Sequence, residues 1–592
     1  MNDRVREYEK LLAHDQQCAS DAQKSIQQLV IWRLAAFSGI VFSFIYLAHP
    51  LNWLSAAALL ILFLYLVKVF IKKEKEKKLH DRLMLINQQE LEALKERYSQ
   101  FEHGSEFIDQ HHAYSFDLDL FGEGGLFQFL NRTTTQLGRK KLASWLNSPL
   151  LDHKKLHERQ TALQELATYT RWRQYFSAKG HTHDEQDVQL LQQMAGHEAL
   201  PKPKLLRRLI FMLPLISIVF LTLLILGFIP WGVFLLPVIT NGAVLYAYRK
   251  TINSFYQLYG NQSNLLKSYT NLLKLIEQKE FKSSLFQSLK QRLSAHPKKA
   301  SQIVDELRQI MARFDYRANL TFALIAEPLF VWDLICIYQL DRWHRKYGQY
   351  IRDWFDIIAE FDALSSLANL NHNLAEWALP TFESGEFCFS ANDLAHPLIK
   401  SSKRIGNDFR MNGEGKICLI TGANMAGKST FLRTLGVNLV LALNGCRVCA
   451  SWFTLKPTGL FTNMRTTDNL QKDESYFLAE LLRLKQMLDQ IESGQPLFII
   501  IDEMLKGTNS EDKFSGSKAL TAKLIRLKAN GLIATHDLKL TELEKSYPAQ
   551  ISNKCFEVTL ENDQLAFDYK LRDGVTSTMN ASFLMRKMGI TD

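Results

Sequence analysis

The chain has 592 residues, which is too many for one hydrophobic core, so we expect three or four domains. Its formal charge of +10 suits a polyanion such as DNA or an anionic membrane surface, but much of the excess flanks apolar stretches, where membrane topology alone explains it. Seven cysteines lie scattered without a disulfide framework, which excludes a disulfide-stapled secreted class, and Cys446 and Cys449 lack the second pair of a zinc site.

The first predicted element is a hairpin of two apolar helices. Runs 30–47 and 51–67 are almost entirely apolar or small, and each is long enough to cross a bilayer. Pro50 lies between them and reverses the chain. We therefore predict a cytoplasmic N-terminal helix over 1–29 and a transmembrane hairpin over 30–71. A charged helical linker follows over 72–110, with a solvated amphipathic helix at 71–101.

A second apolar hairpin is predicted over 209–248, after the first part of a helical core at 111–208. Runs 209–229 and 231–248 surround a turn at Gly227 and Pro230. The alternative is a buried hairpin in a soluble core, where such long apolar runs are rare. Lys and Arg flank the outer ends of both hairpins and are missing from both turns, which predicts four spans with both termini in the cytoplasm. The expected location is the inner membrane of a bacterium, multi-pass, with soluble domains in the cytoplasm.

A long helical region is predicted over 249–380, as a lever and second part of the core. Its segment 321–340 is apolar but contains Glu327, Pro328 and Asp333. Charged residues are costly inside a bilayer, so we interpret this segment as a core helix rather than a fifth span.

The chain changes character near residue 381, where short β-type runs and more glycine begin a domain over 381–592. An apolar strand at 417–420 leads into a loop that matches G-x-x-x-x-G-K-[ST] and opens a helix. Such glycines let backbone N–H groups face a phosphate, and we expect Lys428 to reach the β- and γ-phosphates of ATP and Ser429 to contact Mg²⁺. The candidate nucleotide-binding residues are Gly422, Ala423, Asn424, Met425, Ala426, Gly427, Lys428, Ser429 and Thr430.

Two further strands carry the candidate catalytic groups. The apolar run from Phe498 ends in Asp502 and Glu503, which we expect to hold Mg²⁺ and to polarise the attacking water, respectively. Another run, at 532–535, ends in His536, a candidate sensor of the γ-phosphate, although a lone histidine is more often structural. Together the three elements predict a P-loop ATPase.

These segments resemble the MutS family. Residues 420–430 are similar to its T-G-P-N-M-G-G-K-S-T, departing at Ala423 and Ala426, neither of which replaces a glycine of the general loop pattern. Segments 461–480, 502–510 and 534–536 resemble the family's signature segment, its D-E-x-x-x-G-T-[SN] and its A-T-H switch. In the signature, Ser475 stands where the family's serine touches the γ-phosphate bound by the partner subunit. The resemblance implies an α/β ATPase of ABC type that works as a homodimer.

The likeness continues upstream. Residues 117–160 are similar to the start of the family's all-α core, and 361–364 and 396–398 to the lever end and the entry to the ATPase. The sequence departs from the family in having no N-terminal mismatch-reading domain with an F-x-E wedge, and in carrying the second apolar hairpin where relatives insert a DNA-gripping clamp. We therefore expect a membrane-anchored variant without the mismatch-recognition domain.

These features define three candidate functions. The first is a membrane-anchored MutS-like ATPase, related to mismatch repair or recombination, that couples ATP to DNA binding; no helix-turn-helix, zinc finger or aromatic-basic platform is recognisable. The second is an ABC-type motor for membrane transport, against which the signature around Ser475 is not L-S-G-G-Q and the hairpins lack charges marking a substrate path. The third, an idle scaffold, conflicts with the presence of Lys428, Asp502 and Glu503.

Overall fold

The computed structural model describes residues 2–180, 200, 203–260, 262–465, 476–561 and 564–576. The chain is multidomain and mostly helical, with a mixed α/β region at the C-terminus. The helices are α1 Asn2–Tyr46, α2 Leu51–Leu94, α3 Leu126–Leu130, α4 Gln136–Asn147, α5 His153–Ala167, α6 Thr170–Gly180, α7 Pro203–Ile225, α8 Trp231–Tyr259, α9 Ser263–Gln278, α10 Ser284–Leu293, α11 Ala300–Phe314, α12 Leu320–Phe330, α13 Trp332–Asn373, α14 Lys428–Leu443, α15 Tyr476–Glu492, α16 Ser510–Arg526 and α17 Leu543–Ser546. The strands are β1 Thr381–Phe382, β2 Cys388–Leu394, β3 Asn407–Asn412, β4 Ile417–Gly422, β5 Trp452–Leu455, β6 Gly459–Asn463, β7 Leu497–Asp502, β8 Asn530–Ala534, β9 Ile551–Glu561 and β10 Gln564–Asp573.

Within the described residues, four helices, α1, α2, α7 and α8, are each long and apolar enough to cross a membrane, and they form two antiparallel pairs. Their apolar side chains point outward: Ile31 is 67% exposed, Ile61 70% and Phe211 67%. Such a large exposed apolar surface is unusual for a protein surrounded by water. Helix α1 runs without a break across the boundary predicted at residue 30, so the N-terminal segment and the first apolar run form one rod.

Helix α2 departs from the prediction of a solvated helix over 71–101. It ends at Leu94, because Glu96 adopts a left-handed backbone conformation (φ 60°) that an α-helix cannot continue. Its charged part also buries Leu83, Asn87 and Glu90, since it packs against α1 and α6. The charged half of α2 therefore packs against the protein's own core and is not a fully solvated helix.

A buried carboxylate fixes this junction. Asp15 of α1 is fully buried and accepts hydrogen bonds from both terminal nitrogens of Arg171 (2.7 and 2.5 Å) and from the amide of Asn87 (3.2 Å), with a ring nitrogen of His80 at 2.9 Å. Burial alone would raise the pKa of Asp15, but the bonds and charges of Arg171 and His80 lower it. The carboxylate therefore joins α1, α2 and α6.

The segment predicted as one core helix at 321–340 is two helices. Val331 has a left-handed backbone (φ 47°), and α12 and α13 meet there at 80°. Helix α12 is not core, because Leu320 and Leu324 are 72% and 67% exposed. The prediction of a core helix is correct only for α13, whose inner face is buried along most of its length.

Helix α13 reaches from the second apolar hairpin, α7 and α8, to the C-terminal domain. Its 42 residues span about 63 Å at 1.5 Å per residue. It packs against α7 and α8 as well as α4, α5 and α11. Near its C-terminal end the Asn371 side chain accepts a hydrogen bond from the backbone N–H of Arg447 (2.9 Å), and Arg447 donates to the Trp377 carbonyl (2.6 Å). Helix α13 therefore contacts both the second apolar hairpin and the C-terminal domain.

The C-terminal region contains two sheets. The smaller has strand order β1-β5-β2-β3, and the larger has order β10-β9-β4-β8-β7-β6. In the larger sheet β6, β7, β8, β4 and β9 are mutually parallel, whereas β10 pairs antiparallel with β9. The interior strands are nearly continuous apolar runs, as expected where a parallel sheet is covered on both faces. Cys446 and Cys449 are free thiols buried within this region, between α14 and β5.

Candidate functional site

Three neighbouring strands end at one edge of the large sheet. Strand β8 lies between β4 and β7, and in the register Ile420 is opposite Ala534, which is opposite Asp502. Because parallel strands share a carboxyl edge, the segments that follow them come together there, and such edges are where ligands bind in open α/β sheets. Here they are the glycine-rich loop, His536 and the acidic pair.

The loop after β4 wraps back on itself before α14. Gly422 (φ 152°) and Gly427 (φ 107°) both have positive φ, and a Cβ on Gly422 would lie 2.8 Å from the Phe556 carbonyl oxygen. Met425 at the tip also has positive φ (68°) and is 82% exposed. Helix α14 begins at Lys428, so its unpaired N–H groups and positive dipole end face the loop, which is the arrangement that binds phosphate.

Lys428 is held inside the loop. Its side chain is buried, and its Nζ donates to the carbonyl oxygens of Gly422 (2.6 Å) and Ala423 (2.9 Å). Burial lowers the pKa of Lys428, while the nearby carboxylates of Asp502 and Glu503 act in the opposite direction. The ammonium thus has acceptors that phosphate oxygens can replace.

Ser429 and Asp502 meet across the sheet edge. The Ser429 hydroxyl donates to Asp502 Oδ2 at 2.5 Å, and both groups line the same cavity. A hydroxyl and a carboxylate oxygen are hard donors of the kind that Mg²⁺ prefers, completed by water and phosphate. Nowhere in the described part of the chain do three or more His, Cys, Asp or Glu side chains form a complete metal site. The donor set therefore fits a magnesium ion that is bound together with a phosphate ligand.

Glu503 follows Asp502 with a strained backbone. Its φ is 66°, and its N–H donates to the Ala534 carbonyl (2.9 Å), which turns the side chain into the cavity. Lys513 of α16 forms a short ion pair with the Glu503 carboxylate. Burial would raise the pKa of Glu503, but the hydrogen bond and charge of Lys513 outweigh it, so the pKa is lowered. Sequence reasoning missed Lys513, which lies ten residues downstream outside every motif.

A second residue without an assigned role is Glu480 of α15. It is buried, and its carboxylate accepts hydrogen bonds from the backbone N–H groups of Leu505 (2.6 Å) and Lys506 (3.0 Å). Leu505 has φ 55°, so this carboxylate stabilises an otherwise unfavourable turn directly after the acidic pair. In the sequence, Glu480 is marked only as an acidic residue at the end of the signature-like segment.

His536 is exposed and lines the cavity beside Lys428 and Glu503. Partial desolvation and the charge of Lys428 lower its pKa, so the imidazole is neutral at neutral pH. The cavity measures about 610 Å³, within the range of small-molecule sites, and Asn407 and Tyr569 also line it. Ser475 lies outside the described residues.

The site is tied to the helical core through two aspartates. Asp117, fully buried, accepts from the Thr462 hydroxyl (2.6 Å) and from the backbone N–H groups of Met464 (3.1 Å) and Arg465 (3.0 Å). Asp119 forms ion pairs with Arg465 and with Arg433 of α14 (3.0 Å). The helix that begins at the phosphate-binding loop is therefore linked directly to the core.

Comparisons with known proteins agree with this architecture. Residues 418–586 match the family model described as MutS domain V, and residues 109–368 match MutS domain III. A DNA mismatch repair protein MutS from Thermotoga petrophila is 31% identical over 42% of this chain and 31% of its own length, and one from Geobacillus kaustophilus is 31% identical over 37% and 24%. The DNA mismatch repair protein MSH4 of Arabidopsis thaliana is 29% identical over 35% and 26%. The chain thus matches about a third or less of the length of these relatives.

Proposed function

The chain belongs to the MutS family, and from this premise we propose that it is a membrane-anchored ATP hydrolase that acts as a dimer and couples ATP to DNA binding in a process related to mismatch repair or recombination. One observation carries the ATPase part. The glycine-rich loop, Ser429 with Asp502, and Glu503 converge on one cavity at the carboxyl edge of a parallel sheet. Two family models together match well over half of the chain.

Each residue has a distinct task in this proposal. Loop N–H groups and Lys428 would bind the β- and γ-phosphates, and Ser429 with Asp502 would hold Mg²⁺, which would neutralise charge at the phosphates. Glu503 orients and polarises the attacking water, and neutral His536 is close enough to the cavity to sense the γ-phosphate. The hydrogen bond and charge of Lys513 lower the pKa of Glu503, which favours the ionised carboxylate that can accept a proton.

Dimerisation is part of the proposal because the signature-like segment carries Ser475, which resembles the family's serine that completes a partner's site. Glu480, in the same segment, is bonded to the backbone beside Lys506, a residue that lines the cavity. This contact supports a role for the segment in responding to the nucleotide.

Membrane anchoring is proposed from the four long apolar helices and their outward-facing side chains. Helix α13 contacts the second hairpin, and its Asn371 accepts a hydrogen bond from Arg447 of the C-terminal domain. The helix is therefore suited to transmit ATP-driven motion between them. The proposed location is the inner membrane of a bacterium, with the soluble domains in the cytoplasm.

The topology makes a direct prediction. A cysteine at Phe228, which is 74% exposed in the turn between α7 and α8, is expected to react with a membrane-impermeant maleimide added to intact cells. The matched Lys299→Cys variant should react only after the cells are permeabilised, because residue 299 lies on the cytoplasmic side. The wild-type chain measures background from its own cysteines. Labelling of Lys299→Cys in intact cells would refute the topology.

DNA binding is tested with the purified full chain in detergent, using linear, branched and mismatched duplexes at stated low and moderate salt, with and without ATP. We expect ATP-dependent binding that weakens steeply as salt rises, since phosphate contacts release counterions. Retention of dimer mass on size-exclusion chromatography is measured in the same samples. No binding to any duplex at low salt would remove the DNA part of the proposal and favour an ABC-type ATPase that drives a membrane process.

A further inference from the structure

A second cavity, which shares no lining residue with the candidate ATP site, lies where α1, α2 and α6 meet the loop before α4. Its volume is about 400 Å³, which is the size of a small-molecule site. Arg82, Leu85 and Gln100 at its rim are exposed, so the cavity opens to solvent. Its inner wall combines apolar side chains such as Phe176 with polar groups such as Tyr8.

The inner wall contains a cation with unused donors. Arg173 of α6 is only 5% exposed, yet its Nε and Nη2 have no hydrogen-bond partner among the described residues, and its Nη1 has only a long contact (3.4 Å) to the Leu166 carbonyl. An arginine remains charged even when buried. Buried donors without an acceptor are strongly unfavourable, so the two free nitrogens of this guanidinium require an acceptor.

Other charges of the same wall are already compensated. Glu90 accepts from Arg132 (2.6 Å) and from Asn373 (2.9 Å). Arg139 is paired with Glu102 (2.6 Å) and Glu106.

Asp362, also in the wall, is satisfied by the backbone N–H groups and hydroxyls of Thr134 and Thr135. The carboxylates of the wall therefore already have donors, and the nitrogen donors left without a close partner are those of Arg173, while Arg82 bonds the Ala178 carbonyl (2.9 Å).

A lipid headgroup is excluded by distance. Arg82 lies 15 residues beyond the apolar run that ends at Val67, which is about 22 Å along a helix that rises 1.5 Å per residue. The occupant must therefore come from the aqueous phase.

We propose that this cavity binds a soluble small molecule that carries a phosphate or carboxylate group on an apolar body, with Arg173 bound to the oxyanion. The guanidinium fork matches such groups, and the apolar wall accommodates the rest of the ligand. The Tyr8 hydroxyl, which donates to Asn373 of α13 (2.8 Å), lies in the same wall. An occupant would therefore strengthen the junction between the first membrane helix and the lever.

The test is thermal unfolding of the full chain in detergent, in a Lys428→Ala background so that oxyanions cannot bind at the candidate ATP loop. The probes are phenyl phosphate, inorganic phosphate and benzoate at millimolar concentrations. We expect phenyl phosphate to raise the melting temperature saturably by about 2 to 4 °C, with smaller shifts for phosphate, which lacks the apolar body, and with benzoate showing whether a carboxylate suffices.

Adding Arg173→Met should abolish these shifts and, without probe, leave the protein as stable or more stable, because a buried cation with unsatisfied donors is removed. Ser177→Phe, which fills the cavity and keeps Arg173, should abolish them too. Arg6→Gln, on an exposed position of α1, is the control and should leave them unchanged. The proposal is overturned if no probe gives a saturable shift, or if both cavity variants respond like the control. Since the background lacks Lys428, failure here leaves the ATPase proposal untouched.

Discussion

Replacing Lys428 by alanine is expected to lower the affinity for ATP at least a hundredfold, about 3 kcal/mol, and to abolish hydrolysis. In the structure this ammonium is buried in the loop and bonded to two carbonyl oxygens, so it is the cation that phosphate oxygens would meet. Charged hydrogen bonds contribute roughly 1.5–3 kcal/mol each, and two of them account for the loss. Equilibrium binding of labelled ATP in detergent measures it.

The matched control is Lys518→Ala, an exposed lysine of α16 away from the cavity, which should bind ATP as the wild type does. Thermal unfolding of both variants separates a lost contact from a lost fold. If Lys428→Ala binds ATP with wild-type affinity while folded, the loop is not the phosphate site.

The second large effect is expected for Glu503→Gln. The amide cannot accept a proton, so we expect kcat to fall about 10²- to 10³-fold while ATP still binds, which accumulates the ATP-bound dimer. Single-turnover hydrolysis together with size-exclusion chromatography in ATP measures both effects. Glu511→Gln, an exposed carboxylate on α16, is the control and should retain wild-type turnover. Equal turnover in Glu503→Gln and wild type would assign the base elsewhere.

The contact between Lys513 and Glu503 provides a second test of Glu503 as the base. Lys513 lowers the pKa of Glu503, so the reactive carboxylate persists as pH falls below the ordinary range of a glutamate. In Lys513→Met, the lysine charge no longer opposes the effect of burial on Glu503, so the pKa of Glu503 rises. The acid limb of the pH–rate profile should therefore move to higher pH, whereas a Lys513 that serves only packing would lower the rate equally at all pH values.

The local features of the candidate site could be predicted from the sequence. The loop, the acidic pair and His536 each follow an apolar strand, and the structure brings the three strand ends together at one sheet edge. The apolar runs predicted helices long enough to span a membrane, and such helices are present.

Contacts between residues far apart in the chain could not be predicted from the sequence. Asp15 bonds Arg171, Asp117 bonds Thr462 and Glu480 bonds the turn at Leu505, and neither periodicity nor a motif specifies such partners. The break at Val331 was missed for a different reason. Its left-handed backbone is unfavourable for a β-branched residue, so local propensity argues against the conformation that packing imposes.

The most direct measurement is ATP binding and phosphate release by the pure wild-type chain in detergent with Mg²⁺. The account predicts that the protein retains labelled ATP, releases phosphate, and loses both activities when Mg²⁺ is chelated or Lys428 is replaced. A folded protein that neither retains ATP nor releases phosphate would contradict it, whatever its family.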